Sequence, residues 1–428
     1  MGNARKVLVP IFFVIFMDNF GFSILFNLLP SVFLNSHYSL ISPFTSTAMR
    51  NVWLAITFGV FPLTQFIGSP MIGDFADHFG RKKALYITIL TVTGGYVLSA
   101  MAISINSLSL LIISRLITGF FAGNLSICLA VIADLSPDEK SRARNFSHVT
   151  TLFGFSWILA MVMSGYVSDP KYLGYHGPVI VFLVTAALSF SSFLATWWYF
   201  DETYKIDHEV KFDLLHGVKN VIEALCLKRV RTLFITYFFW VIGWGATMQW
   251  FPAYSLEIFR VNMVSVTTWM IILGIAWTFS SSILNNLMLR RFHSISIATF
   301  GALISSLLVF GNLFISLFDV FAAILALASM TSAFTMCNTM NLMSMAAPTD
   351  VQGKVMGLSQ SMMSLGWIVS SIAAAILNQY SITYIYWYTA GCLGVTFLFL
   401  ISIFLYHKGR GIDEEPIKES NFIDHQKD

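Results

Sequence analysis

Two ionisable residues stand where charge is costly. Asp18 is the only charged residue in the apolar run 8–32, and a rise of 1.5 Å per residue places it about 16 Å along a helix, near the middle of a bilayer. A carboxylate at that depth needs a use or a partner. Low dielectric opposes its charge and a fixed cation supports it, and a group balanced between the two can take up and release a proton. Arg115, about 10 Å into the run 108–132 from its other end, lies at a comparable depth. It keeps its charge and is the natural partner. The plain alternatives are an Asp18 satisfied by hydrogen bonds between helices and an Arg115 that is a structural clamp.

A second group of charges lies between hydrophobic runs, in Gly73-Asp74-Phe75-Ala76-Asp77-His78-Phe79-Gly80-Arg81-Lys82-Lys83. The stretch reads as a short loop at a membrane surface. Gly73 removes a side chain where a helix leaves the bilayer, and Gly80 permits a tight reversal. Asp77 and Arg81 stand four apart and can pair if the segment keeps a helical turn. Arg81, Lys82 and Lys83 would also serve any membrane protein as an orientation signal. Asp134, in Ala133-Asp134-Leu135-Ser136-Pro137, ends the fourth apolar run, where a solvated helix end is the simpler reading.

Neutral polar groups complete the candidates. The run Trp240 to Pro252 holds Gly243, Trp244, Gly245, Gln249 and Trp250. Glycines and a proline loosen that helix beside tryptophans and an amide, a composition suited to a solute-facing wall, though tryptophans near span ends also anchor interfaces. Asn19, Asn124, Asn338, Asn341 and Gln360 add hydrogen-bonding groups without charge, and interhelical bonding is the alternative for each. A cavity built this way suits a neutral, zwitterionic or amphipathic solute better than a polyanion.

The elements that must carry these residues follow from composition. With 428 residues, 56% hydrophobic and only 11% charged, the chain is too apolar for a soluble protein and reads as polytopic. Twelve spans are expected, at 8–32, 51–72, 84–104, 108–132, 146–168, 178–200, 232–255, 264–288, 294–316, 319–345, 354–377 and 382–406. The fold expected is an all-α membrane protein with two pseudo-symmetric six-helix bundles, 1–200 and 232–407, a cytoplasmic linker 201–231 and a cytoplasmic tail 408–428. An internal echo supports the duplication: the connection from Pro137 through Arg142 to Gly154 is similar to that from Pro348 through Lys354 to Gly366. Of the 25 Lys and Arg, all but Arg50, Arg115, Lys171 and Arg260 fall on one side of this scheme, which puts both termini in the cytoplasm.

Several chemistries find no support. The four cysteines are far apart and three fall within spans, so neither a zinc site nor a disulfide framework is implied. No phosphate-binding loop, H-E-x-x-H or G-x-S-x-G occurs, and no histidine lies deep in a span, so the chain does not read as an enzyme and no cofactor is implied.

The pattern G-x-x-x-D-x-x-G-R-K, filled by Gly73, Asp77, Gly80 and Arg81, resembles the signature loop between the second and third helices of the major facilitator superfamily. That resemblance implies a cytoplasmic latch, with Asp134 joining Asp77 and Arg81 in one cluster. Arg115-Leu-Ile-Thr-Gly119 is similar to the family's fourth-helix motif, associated with proton coupling. Met17-Asp18-Asn19-Phe20-Gly21 through Pro30 is similar to the first helix of bacterial tetracycline/proton antiporters and related drug exporters. In the fifth helix Ala160-Met161 stands where those exporters carry Gly-Pro, and the ninth helix lacks the carboxylate that tetracycline exporters use, so tetracycline itself is not expected.

The resemblance implies a monomeric proton-coupled transporter of the bacterial inner membrane, working by alternating access and exporting a small amphipathic compound. Its partners would be a small solute, protons and the bilayer, with no nucleic acid. Uptake of a nutrient such as an amino acid, peptide or siderophore is the alternative, favoured by the altered fifth helix. A sensor that binds without translocating is the rival from another class.

Overall fold

In hydrocarbon each segment must satisfy its own backbone, and a helix does so internally. The computed structural model describes residues 2–34, 38, 40–42, 44–135, 139–167, 176–202, 228–346 and 352–409. Among them the chain is helical, with no strand. Ten stretches are long and apolar enough to cross a membrane, from Leu8–Leu34 to Thr383–Leu405, and Thr151–Val167 is a shorter apolar helix. The helix Lys228–Trp240, continued through a π turn at Val241–Gly245 into Ala246–Tyr254, occupies the place of the seventh span without being among those ten. It starts inside the segment read as linker, of which 203–227 lies outside the described residues, as do the tail from 410 and parts of the two echoing connections.

Side chains set the starts of several spans. The hydroxyls of Ser46 and Ser107 accept from the backbone N–H of Met49 and Leu110, both at 3.3 Å, and Asn262 accepts from Ser265 at 2.8 Å. These are N-caps, each satisfying a donor the helix leaves free. Within spans, hydroxyls bond back to the preceding turn, as Thr88 does to Ala84 O at 2.9 Å and Thr185 to Val181 O at 2.7 Å. Such residues bring no orphaned donor into the hydrocarbon.

The stretch expected to be a loop is mostly helix. The second span, Thr47–Phe79, runs on through Gly73 and Asp77, and the third, Arg81–Ser104, begins at once. Gly80 alone joins them, at φ 95° and ψ 144°, a conformation that essentially only glycine takes. Charges and one glycine do not end a helix that can project beyond the bilayer.

Two spans are interrupted near the middle. In the first, Gly2–Ser23 and Leu25–Leu34 meet at Ile24, with Ile24 N–H still bonding Phe20 O at 3.0 Å. Pro30, which has no N–H for the carbonyl of Phe26, favours a bend there. The fourth span divides into Leu108–Phe120 and Asn124–Asp134. The freed carbonyl of Ala122 accepts from Gln65 Nε2 of the second span at 3.1 Å.

Packing makes the duplication explicit. The third span packs on the fourth and sixth, the second on the fourth, and the first on the fourth, fifth and sixth. Adding six to each number gives contacts that also occur: ninth on tenth and twelfth, eighth on tenth, seventh on tenth, eleventh and twelfth. The halves meet along two seams, second against eleventh and fifth against eighth, and the same operation exchanges one seam for the other. The architecture is therefore two pseudo-symmetric helical bundles.

Arg50 shows why one cation sits on the side that is otherwise poor in them. It is buried and donates to the carbonyls of Phe33 at 2.9 Å, Ser42 at 3.0 Å and Thr45 at 3.3 Å, tying down the connection between the first two spans.

Candidate functional site

A cavity of about 250 Å³ lies between the halves, near the small end of the range for ligand pockets, about 300–1,000 Å³. Asp18 is in its wall, as the sequence required for any working role. Its Oδ1 accepts from Asn124 Nδ2 at 3.1 Å, while Oδ2 has no hydrogen-bond partner among the described residues. Asn124 is itself fixed, since its Oδ1 accepts from the Thr88 hydroxyl. The interruption of the fourth span explains this arrangement: a new helix begins at Asn124, and a helix start carries partial positive charge that favours a nearby carboxylate.

Asn19 also lines the cavity, and its Nδ2 donates to Phe153 O at 3.0 Å and Ser156 Oγ at 2.5 Å on the fifth span. It braces the first span against the fifth and leaves its carbonyl oxygen for other contacts.

Arg115 is placed otherwise than expected. Among the described residues it forms no ion pair with Asp18; it is fully buried, donates to Ser99 Oγ, and lies over the rings of Tyr96 at 5.6 Å and Phe182 at 5.4 Å. Tyr96, whose ring lies against Arg115, lines the same cavity as Asp18 and fits its hydroxyl against Gly21 so closely that a Cβ there would collide with it. Nothing in the sequence marks this role, because a tyrosine in an apolar run is ordinary core composition.

The latch residues are only partly described. Gly73 is within the second span's helix, Gly80 is the joint, and Arg81 is buried at the start of the third span. The side chains of Asp77 and Asp134 lie outside the described residues, so the expected cluster falls outside them too. One carboxylate nearby was missed: Glu202 Oε2 accepts from the Lys82 backbone N–H at 2.9 Å, a negative charge at a helix start.

In the second half, Trp244 and Gln360 line the cavity, whereas Gln249, Trp250, Asn338 and Asn341 do not. The seventh span presents Trp240, Val241, Trp244, Gly245 and Met248, an i, i+4, i+8 face from which Trp250 is absent; Gln249 keeps the spacing, four residues after Gly245, and still does not line the cavity. Gln249 accepts from Ser370 Oγ at 3.5 Å, and Trp250 is fully buried. Asn338 donates to Asn285 Oδ1 at 2.7 Å and Asn341 to Ser294 Oγ at 3.0 Å, bonds between helices. Counting the period along 240–252 separates Trp250 from the lining residues but not Gln249, because a π turn at Val241–Gly245 interrupts the α-helical register.

Aromatic rings make up much of the remaining wall. Tyr237 stacks on Trp240 with centroids 5.7 Å apart, Trp240 lies 6.1 Å from Trp277, and Trp277 stacks on Trp244 at 6.0 Å. Phe26, also in the wall, packs on Trp157 at 5.0 Å and on Trp367 at 5.7 Å. Toward the end away from the amino terminus, bonds between the halves close the space. They are Asn27 Nδ2 to Thr267 Oγ1 at 3.1 Å, Asn51 Nδ2 to Glu257 Oε2 at 2.9 Å, and the hydroxyls of Tyr166 and Thr268 at 3.2 Å.

An apolar chamber with one carboxylate, held between two pseudo-symmetric membrane bundles, defines a transporter of small solutes. A family model described as Major Facilitator Superfamily matches residues 11–371, and the chain belongs to that superfamily. It is a multi-pass integral membrane transporter and not an enzyme. The tetracycline resistance protein, class E, of Escherichia coli is 24% identical over 420 residues, which cover 95% of this chain and 96% of that protein. Two solved structures share the fold. The human organic anion transporter MFSD10 (TETRAN) matches with a TM-score of 0.71 at 18% identity, over 93% of this chain and 99% of that one. A D-xylose-proton symporter matches with a TM-score of 0.75 at 15% identity, over 93% and 97%.

Proposed function

We propose that this chain is a proton-coupled secondary transporter that exports a small amphipathic compound by alternating access. The observation that carries the reading is Asp18, a carboxylate in the wall of the central cavity with one oxygen unbonded. A proton on that oxygen removes the charge, and rocking of the bundles along their two seams exposes the group to one side of the membrane and then the other. Asn124 and the helix start behind it hold the carboxylate in place in both conditions. Arg115 acts through Tyr96 and not by direct pairing. Similarity to a tetracycline resistance protein over nearly the whole chain supports export.

In this reading the chain is a monomer in a bacterial inner membrane with both termini cytoplasmic, organised as bundles 1–200 and 232–407 joined by the linker 201–231. Asp77, Arg81 and Asp134 latch the cytoplasmic side. The test is transport in proteoliposomes with an imposed pH gradient. Asp18→Asn is expected to abolish gradient-driven movement while leaving counterflow of solute; a variant that keeps full gradient-driven movement sinks the coupling role. Accumulation in the direction of the gradient would instead favour nutrient uptake.

A further inference from the structure

The charge inventory of the cavity constrains its cargo further than amphipathic character does. Among the described residues that line it there is one carboxylate, Asp18, and no Lys, Arg or His. The nearest buried cation, Arg115, is not in the wall, and the Tyr96 ring lies against it. The second half contributes four rings to the same wall, Tyr237 stacked on Trp240 and Trp244 stacked on Trp277, with Trp240 tilted against Trp277. The negative face of an aromatic ring attracts a cation that has lost its water, and indole does so best. An anion would meet the same faces and the same carboxylate unfavourably, with no lining cation to offset them.

We infer that the cavity selects organic cations, small molecules carrying a quaternary or protonated amine on an aromatic or otherwise apolar body, with the charge between Asp18 and the Tyr237–Trp240–Trp277–Trp244 wall. The inference rests on the cavity being the solute site of the proposed transporter, and it gives the cargo a sign. That sign is opposite to the one named for the human transporter that shares the fold. At 18% identity the likeness extends to the fold and leaves the lining free to differ.

Three probes of nearly the same shape separate charge from bulk: phenyltrimethylammonium, its neutral isostere tert-butylbenzene, and benzenesulfonate. Binding to the purified full-length protein in detergent is measured by calorimetry. The cation is expected to bind at least about tenfold more tightly than either of the others. Trp277→Leu and Asp18→Asn are each expected to reduce that preference several-fold, with the thermal unfolding midpoint confirming that the variants fold. Trp244→Phe, which keeps a ring, is expected to retain most of it.

Equal affinity for the three probes, preference for the sulfonate, or binding of none of them overturns the inference. Failure of the transport reading looks different. Proton-driven movement of a neutral or anionic solute without preference for the cation would remove the charge assignment and leave the transporter intact. Selective binding of the cation with no gradient-driven movement in proteoliposomes would do the reverse.

Discussion

The guanidinium carbon of Arg115 lies 5.6 Å from the centre of the Tyr96 ring and 5.4 Å from that of Phe182. A cation placed between two rings away from bulk water is held by their faces more than by a counter-charge. Its planar, delocalised charge suits that slot, and an ammonium on a flexible stem does not.

Arg115→Lys is therefore expected to lower stability by about 1–3 kcal/mol, since each ring contact is worth roughly 0.5–2 kcal/mol. Thermal unfolding in detergent measures the loss. Gradient-driven transport should fall less than in Asp18→Asn. Unchanged stability together with complete loss of coupling would mean that Arg115 takes part in coupling directly.

Gly21 and Tyr96 should behave as a pair. A methyl group on Gly21 meets the Tyr96 hydroxyl before any other atom, so Gly21→Ala is expected to cost about 1–3 kcal/mol as an overpacked contact. In a Tyr96→Phe background the cost should shrink, with a coupling of about 0.5–3 kcal/mol in a double-mutant cycle. Equal costs in both backgrounds would show that the two residues do not meet.

Gly80→Ala tests the one-residue joint. At φ 95° and ψ 144° an alanine pays about 1–3 kcal/mol of backbone strain, which should be seen as a lowered unfolding midpoint. Gly73→Ala has no such strain and nothing near its added methyl, so it should be neutral or slightly stabilising. Reversal of that order would return the turn to Gly73.

Asn51 and Glu257 bridge the halves at 2.9 Å, at the end where the cavity is closed. In Asn51→Cys/Glu257→Cys, a short bismaleimide should cross-link the two helices and stop transport, while each single variant treated in the same way continues. Transport that survives complete cross-linking would show that this seam need not part.

Asp18 was legible because a lone charge in an apolar run breaks the composition rule of a span, and Gly80 because a sharp reversal needs a residue without a Cβ. Ten of the spans follow from length and hydropathy, while the fifth is shorter and the seventh is not among those ten. The run 73–79 reads as loop and is helix, since charge marks where the bilayer ends and not where a helix must stop. Tyr96 and Trp277 left no trace, because an aromatic residue within an apolar run fits a core and a cavity wall equally well. Polarity and ring size single out Gln249, Trp250, Asn338 and Asn341, and neither property tells a cavity wall from a contact between helices. Depth suggests an Asp18–Arg115 pair, and depth says nothing of the Ser99, Tyr96 and Phe182 side chains that hold Arg115.

The carboxylate belongs to one bundle and the stacked indoles to the other. Neither bundle could grip a cargo alone, and a molecule held by both would be gripped only while they face each other. Each swing that parts the bundles would then loosen that hold, so release would need no separate device: the motion that opens the door is the one that undoes the clasp.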